Sequence, residues 1–307
     1  MNTDIQKDIY MAQCIGNVEP IEYMIPYPSM RSLIEGQNIK FSNQVMIKKP
    51  DITNIKFYGL VQQTANWLDS LGLKPKQRII IPKLEFPQAE ILLYGIWHFG
   101  AIAVLPGVES VDVIKSKSGA KFILDDKINL FDIIKKFSEK YIPKYKPLLD
   151  DEALLTFEKH YGIRLSHYNL LANANGIQKA IDLKSQTRIF CYLHPVSTAW
   201  VVFKAILPIY CGCIYDSLTP ELTIGNKNND YNLRFDLINI KNYSKKDIAI
   251  CPENTAALSI GRKPLDLTEF NSDTNFIRLN GHSVTMGYLD NTQNKLNFKN
   301  GSLYVSI

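Results

Sequence analysis

Apolar residues recur at helical spacing through Phe57, Leu60, Val61, Ala65, Leu68 and Leu71, and Gly72 stands where such a helix stops. A Lys-Pro-Lys turn leads into an unbroken apolar run, R-I-I-I-P at 78–82. It lacks the alternation of a half-exposed strand and predicts a strand covered on both faces. A helix over 88–99, a stop at Gly100 and a second apolar strand over 101–105 follow. The order then returns. Ser166 is placed to cap a helix running to about Ile181. A strand over 189–193, a helix around 198–210, Gly212 and a strand over 213–215 complete the second set.

The two sets align without a gap at an offset of 110 residues. Tyr58, Leu60, Leu73, Lys74, Arg78, Ile79, Ala89 and Ile96 meet Tyr168, Leu170, Leu183, Lys184, Arg188, Ile189, Ala199 and Ile206. Repetition of this kind, with buried strands joined by helices, predicts an α/β protein. It has two similar subdomains with largely parallel sheets covered by helices, the first over 1–150 and the second over 151–247. Within the second, 217–247 is rich in Asn, Lys and Asp and reads as an exposed connection. Strand-like runs at 235–240, 275–279 and 302–307, separated by Gly and Asn turns, predict a small partial β-barrel-like element over 248–307.

Composition narrows the class. Apolar residues at 46% and charged residues at 21% exclude disordered, collagen-like and coiled-coil proteins. The net charge of +5 is spread along the chain, so no nucleic-acid footprint is expected. The uncharged run at 91–108 approaches the length of a membrane span. Gly95, Gly100 and Pro106 interrupt it, so a buried helix followed by a buried strand is expected instead. The N-terminus carries acids and has no apolar core of a signal peptide. Cys14, Cys191, Cys211, Cys213 and Cys251 contain no C-x-x-C pair, and no second Cys or His pair accompanies Cys211 and Cys213. A cytoplasmic protein with reduced thiols and no metal centre is expected.

Several short segments, in order, resemble the adenylate-forming enzymes, that is, the AMP-binding acyl- and aryl-CoA synthetases and their relatives. Leu71-Gly72-Leu73-Lys74-Pro75 with Arg78-Ile79 is similar to the family's L-G-v-k-p-G-D-r-V. The stretch G-A-I-A-V-L-P at 100–106 resembles k-a-G-A-v-x-v-P, and Ser118-Gly119-Ala120-Lys121 resembles S-g-A-k. Ser166-His167-Tyr168-Asn169-Leu170 looks like the T/S-H-r-N-L after the phosphate loop. Ile260-Gly261-Arg262-Lys263-Pro264 and the stretch G-H-S-V-T-M-G-Y-L at 281–289 look like the i-G-r-P and G-p-s-v-m-x-G-Y-l segments. The resemblance implies the family's N-terminal domain, two related α/β subdomains with a distorted barrel, and a missing C-terminal lid domain.

The phosphate-handling positions depart from the pattern. Acyl adenylation needs backbone donors, a Lys and Mg²⁺ to neutralise the triphosphate. The family's T-S-G-T-T-G-x-P-K-G loop is replaced by L-L-T-F-E-K-H-Y-G-I-R-L-S-H, from Leu154 to His167. Only Gly162 falls on a family glycine, Tyr161 takes the place of the Lys, and Glu158 adds negative charge that Lys159 and Arg164 would offset. A plain exposed loop between a strand and a helix is the competing reading. Glu253 corresponds to the Mg²⁺-binding Glu, or else is a solvated turn carboxylate. Ile307 stands where the family has its ribose-binding Asp.

The nucleotide and Mg²⁺ candidates are therefore Glu253, Gly162 and Arg164. Thr198, Trp200 and Phe203 are acyl-pocket candidates, or else core residues at helical spacing. No catalytic residue is assigned, and no G-x-S-x-G, H-E-x-x-H or G-x-G-x-x-G set offers another chemistry. The resemblance thus implies a catalytically impaired, ligase-like pseudoenzyme acting as a binding or partner subunit, beside an intact ligase or in an acyl-carrier pathway. Two alternatives stand beside it. One is an acyl- or aryl-adenylating ligase using ATP and Mg²⁺ with a separate lid domain. The other is a module that kept a site for a small carboxylic acid and abandoned the nucleotide.

Overall fold

Three sheets organise the computed structural model, which describes residues 4–21, 25–107 and 109–307. In the first, strands Phe122–Ile123, Arg78–Ile80, Ile102–Leu105 and Glu152–Thr156 run parallel in that order, and Ile163–Ser166 closes the edge antiparallel. Ile79, Ile80, Ala103, Val104, Leu154 and Leu155 are all buried, as strands covered on both faces require. The apolar run beginning at residue 91 is the helix Gln88–Phe99, a left-handed Gly100 and the strand Ile102–Leu105. Its last residue, Val108, lies outside the described residues. No helix of the described residues is long and apolar enough to cross a membrane.

Helix Gln88–Phe99 is buried from Ala89 to Phe99 because it lies between the sheet and helix Asn54–Ser70. Gly95 allows this contact. A Cβ there would stand 2.3 Å from Thr64 Cγ2.

The 110-residue repeat is real at the level of structure. Strand Arg78–Ile80 corresponds to Arg188–Cys191, and the helix starting at Gln88 corresponds to the helical stretch starting at Thr198. Beyond that point the offset becomes 112, since Gly100 and Ile102 meet Gly212 and Ile214. The extra length falls in the second helix, where Val201–Ile206 is a π-helix. A π turn spans one residue more than an α turn and displaces backbone carbonyls from their usual donors. Here side chains meet them: Cys191 Sγ donates to Phe203 O at 3.3 Å, Tyr94 Oη to Ala205 O at 3.2 Å, and Tyr215 Oη to Lys204 O.

The second sheet has nine strands, ordered Lys263–Pro264, Ala257–Ile260, Asp247–Ile250, Tyr231–Arg234, Leu222–Gly225, Arg188–Cys191, Ile214–Tyr215, Val45–Ile47 and Ile52–Thr53. It departs from the sequence expectations in three ways. Chain from both sides of residue 150 builds the first sheet, while residues 45–53 complete the second, so the sheets do not follow the expected boundaries. The supposed exposed connection contains two interior strands, Leu222–Gly225 and Tyr231–Arg234, whose Asn-rich composition concealed Ile224 and Leu233. Finally, 235–240 is no strand. Leu237 and Ile240, three residues apart, are buried together on the 3₁₀-helix Leu237–Asn242, while Ile238 faces out.

The third sheet, Thr268–Ser272, Phe276–Gly281, Ser302–Ser306 and Phe298–Lys299, is antiparallel throughout and realises the small β element. Helix Asp4–Ala12 packs on it, with Asp8 Oδ1 accepting the Gly301 N–H at 2.9 Å.

Helix His167–Ile181 joins the sheets. Asn169 Nδ2 donates to His282 O and Val284 O at 2.9 and 3.0 Å. Asn173 Nδ2 donates to Asn254 O and Ala257 O at 3.1 and 2.8 Å, and its Oδ1 accepts the Ala257 N–H at 3.1 Å. Replacing fully buried Asn173 by Leu removes all three bonds and takes away the acceptor of the Ala257 N–H, while Asn254 O keeps the Ala256 N–H and Ala257 O keeps Asn254 Nδ2. Urea unfolding is expected to show a loss of about 2–4 kcal/mol. Gly95→Ala is expected to cost about 1–3 kcal/mol by overpacking the helix pair, read from the shift in the same transition.

Candidate functional site

The segment corresponding to a phosphate loop is the turn of a hairpin. Strand Glu152–Thr156 leads into 157–162 and returns as Ile163–Ser166, with Thr156 opposite Ile163. The loop therefore joins two strands, and the expected helix follows the second. Ser166 caps that helix through the Asn169 N–H at 3.1 Å, while Asn169 Oδ1 accepts the Ser166 N–H at 3.0 Å.

Two of the proposed nucleotide residues serve the hairpin itself. Gly162 adopts φ +67°, and a Cβ there would press on Leu289, Phe157 and Leu155 at 3.1–3.3 Å. Its carbonyl accepts the Leu289 N–H at 2.8 Å. Arg164 Nε lies 2.8 Å from Glu152 Oε2, and Arg78 binds the same carboxylate through Nε and Nη2 at 2.9 Å. Arg164 lines a separate cleft beside helix Asp4–Ala12. Neither Gly162 nor Arg164 borders the cavity that contains Glu253.

Glu158 and Lys159 do. Together with Glu253 they line a cavity of about 290 Å³, walled by Phe235, Ile238 and Ile307. Glu253 sits on the short turn Pro252–Asn254 after strand Asp247–Ile250. It is fully buried, not solvated, and its backbone oxygen accepts the Thr285 N–H at 2.8 Å. The turn ends at Thr255, a β-branched residue at φ +68° whose Oγ1 donates to Ser283 O at 2.7 Å. Such a conformation costs about 1–3 kcal/mol and persists only where surrounding contacts enforce it.

The cavity's electrostatics follow from three groups. Lys159 Nζ stands 3.6 Å from Glu253 Oε1, which lacks a hydrogen bond of ordinary length, and Cys251 Sγ makes a weak contact with Oε2 at 3.6 Å. Glu158 Oε1 accepts the Thr198 N–H at 2.6 Å and Thr156 Oγ1 at 3.3 Å. Burial pushes the Glu158 carboxyl up to about 7, opposed by the Thr198 N–H and reinforced by the negative charge of Glu253. With Asp236 at the rim, the described lining carries three carboxylates and one ammonium. Tyr161, in the family's Lys position, packs edge-on against Tyr288 at 4.7 Å, and burial followed by the Glu253 charge raises its phenol.

Of the acyl-pocket candidates, Thr198 meets the site through its main-chain N–H to Glu158. Trp200 and Phe203 are fully buried in the core. Trp200 Nε1 donates to Glu90 Oε1 at 2.9 Å. Glu90, which immediately precedes the apolar run at 91–108, is a buried carboxylate. The signal was available in the repeat, because Glu90 and Trp200 are equivalent positions at the 110-residue offset.

The histidines near the loop are elsewhere. His167 is buried, its Nδ1 accepts the Met30 N–H at 3.2 Å, and burial pushes it down to about 4. His160 is exposed and pairs with Glu109. The five cysteines are free and buried, and no group of three or more His, Cys, Asp or Glu among the described residues is arranged around a metal.

No family model matches the sequence, and no curated protein matches it. Solved structures share its fold. The N-terminal subdomain of NpsA from Klebsiella oxytoca, in complex with anthranilyl-AMSN, is 16% identical over 93% of this chain and 96% of that one, with a TM-score of 0.72. The anthranilate CoA ligase AuaEII, in complex with anthranoyl-AMP, is 14% identical over 92% of this chain and 74% of that one, with a TM-score of 0.72. The inhibitor-bound N-terminal domain of FACL13 from Mycobacterium tuberculosis is 14% identical over 91% and 95%, with a TM-score of 0.71. The fold is that of the N-terminal domain of adenylate-forming enzymes.

The raised Glu158 carboxyl makes stability depend on pH. A group whose pKa is higher in the folded state contributes fully below its ordinary carboxylate value, and that contribution is lost as pH rises through about 7. Glu158→Gln keeps an acceptor for Thr198 and removes the titration. Denaturant midpoints are expected to coincide for the two proteins near pH 4. At pH 8 the variant should be the more stable by about 2 kcal/mol. Parallel profiles from pH 4 to 8 would show that Glu158 does not titrate in this way.

Proposed function

We propose that this chain is a non-catalytic member of the adenylate-forming fold, acting as a binding or partner subunit alongside an intact ligase or an acyl-carrier pathway. One observation carries the reading: among the described residues, the charged groups lining the cavity between the hairpin turn and Glu253 are Glu158, Asp236 and Glu253 against Lys159.

A triphosphate needs converging donors and cations. Here the helical stretch from Thr198 directs its first N–H at the protein's own Glu158, an anion already in place. Lys159 faces Glu253, the residue that would hold Mg²⁺, and only two carboxylates of the hairpin and turn converge there. This donor set does not fit Mg²⁺-bound ATP. Ile307 borders the cavity with hydrocarbon, which accepts nothing from a ribose hydroxyl. Loss of one transition-state donor typically costs about 10²–10³ in rate, so several missing together leave little catalysis.

A second reading draws on the same juxtaposition. The hairpin turn and Glu253 do share a cavity, as an acyl- or aryl-adenylating ligase working with a lid domain would need. That ligase would join a carboxylic acid to ATP with release of pyrophosphate, then pass the acyl group to CoA or a carrier thiol.

ATP–pyrophosphate exchange separates the two. The purified chain is expected to give no exchange above background over a broad panel of aliphatic and aromatic carboxylic acids. Clear exchange with any acid, abolished by Glu253→Gln, would establish the ligase.

A further inference from the structure

We infer that the cavity between the hairpin turn and Glu253 binds a small amphipathic primary amine, its ammonium taken by Glu253 and Glu158 and its hydrocarbon by Phe235, Ile238 and Ile307. The inference rests on the reading that this cavity does not take the nucleotide.

Charge is the first argument. The described lining carries three carboxylates and one ammonium, so its preferred guest is a cation. The second argument is the unsatisfied oxygen. Glu253 is fully buried and its Oε1 lacks a hydrogen bond of ordinary length, with Lys159 Nζ at 3.6 Å and the Tyr161 phenol also beside the carboxylate. A buried carboxylate oxygen without a close donor is costly, and a group that brings N–H into reach recovers that cost on binding.

The third argument is what already stands there. The group facing Glu253 is an ammonium on a flexible, partly exposed tether, with 37% of the Lys159 side chain accessible. It can swing outward and yield to another ammonium of the same geometry. A metal ion suits the place less well, since no group of three or more His, Cys, Asp or Glu among the described residues is arranged to hold one.

The fourth argument is shape. Phe235 and Ile238 are 57% and 58% exposed at the rim, an apolar surface beside a polar floor. About 290 Å³ lies at the lower end of small-molecule pockets, which suits one ring or a short alkyl chain with a charged end.

Calorimetric titration with 2-phenylethylamine at pH 8, beside 2-phenylethanol and 3-phenylpropionate of similar shape, tests this. The amine is expected to bind saturably, the alcohol at least about tenfold more weakly, and the carboxylate not at all. Lys159→Met removes the internal competitor and should tighten the amine by about tenfold, whereas Glu253→Gln should weaken it by at least as much. Phe235→Ala, at an exposed position where folding is unaffected, should weaken it a few-fold with no change in melting temperature.

Equal affinity for amine and alcohol, or amine binding indifferent to Lys159→Met, would overturn the inference. So would the absence of amine binding by a chain that also lacks pyrophosphate exchange, and that result would leave the non-catalytic reading standing. Exchange activity would instead remove the non-catalytic reading itself.

Discussion

The amide side chains that helix His167–Ile181 sends outward fix the site. The helix begins where the hairpin ends, at the Ser166 cap, so its axis carries the position of Glu158 and Lys159. One turn on, Asn169 holds the 282–284 backbone, and another turn on, Asn173 holds both carbonyls and the N–H around the Glu253 turn. Every residue from His167 to Ile177 is buried, so no solvent competes for these bonds and none is available to replace them. The spacing between the hairpin turn and Glu253, and with it the cavity, is a consequence of which backbone groups those amides satisfy.

Much of this was legible in the sequence wherever burial left a simple pattern. Strands covered on both faces read as apolar runs, glycines at 100 and 212 stopped helices by adopting positive φ, and Ser166 announced a cap. The repeat was visible because matching elements carry matching apolar positions. The expectations that failed did so where local pattern and tertiary role diverge. Leu222–Gly225 and Tyr231–Arg234 are short, flanked by Asn, and take their strand character from neighbours on either side. Nothing in the order of residues says that 45–53 joins the far edge of the second sheet, since that pairing crosses 160 residues of intervening chain.

The site was legible in its members but not in their grouping. Glu253 and the loop at 154–167 were singled out together from the sequence, whereas Gly162 and Arg164 turn toward Leu289 and Glu152. Side chains alternate along a strand, so neighbours in the hairpin face different partners, and a motif alignment cannot express which face meets the cavity. Glu158 entered the sequence reading as a nuisance charge. Its actual place, accepting the N–H of Thr198 at the start of a helical stretch, makes it the anion of the site.

That substitution bears on how a fold and its chemistry separate. The cavity beside the hairpin turn concentrates negative charge in its described lining, on a fold shared with solved adenylation-domain structures. The layers, the repeat and the amide-bonded helix do not require any particular charge at positions 158 and 159, because the Glu158 and Lys159 side chains end in a cavity and not in the core. The strained Thr255 points the same way. It holds Glu253 buried although the chain would relax without it, and two carboxylates kept near one another favour a proton or a cation between them. A pocket that stores such repulsion is selective by construction. It resists anions at every step of their approach and lowers its own energy when an ammonium arrives, whether from Lys159 or from outside.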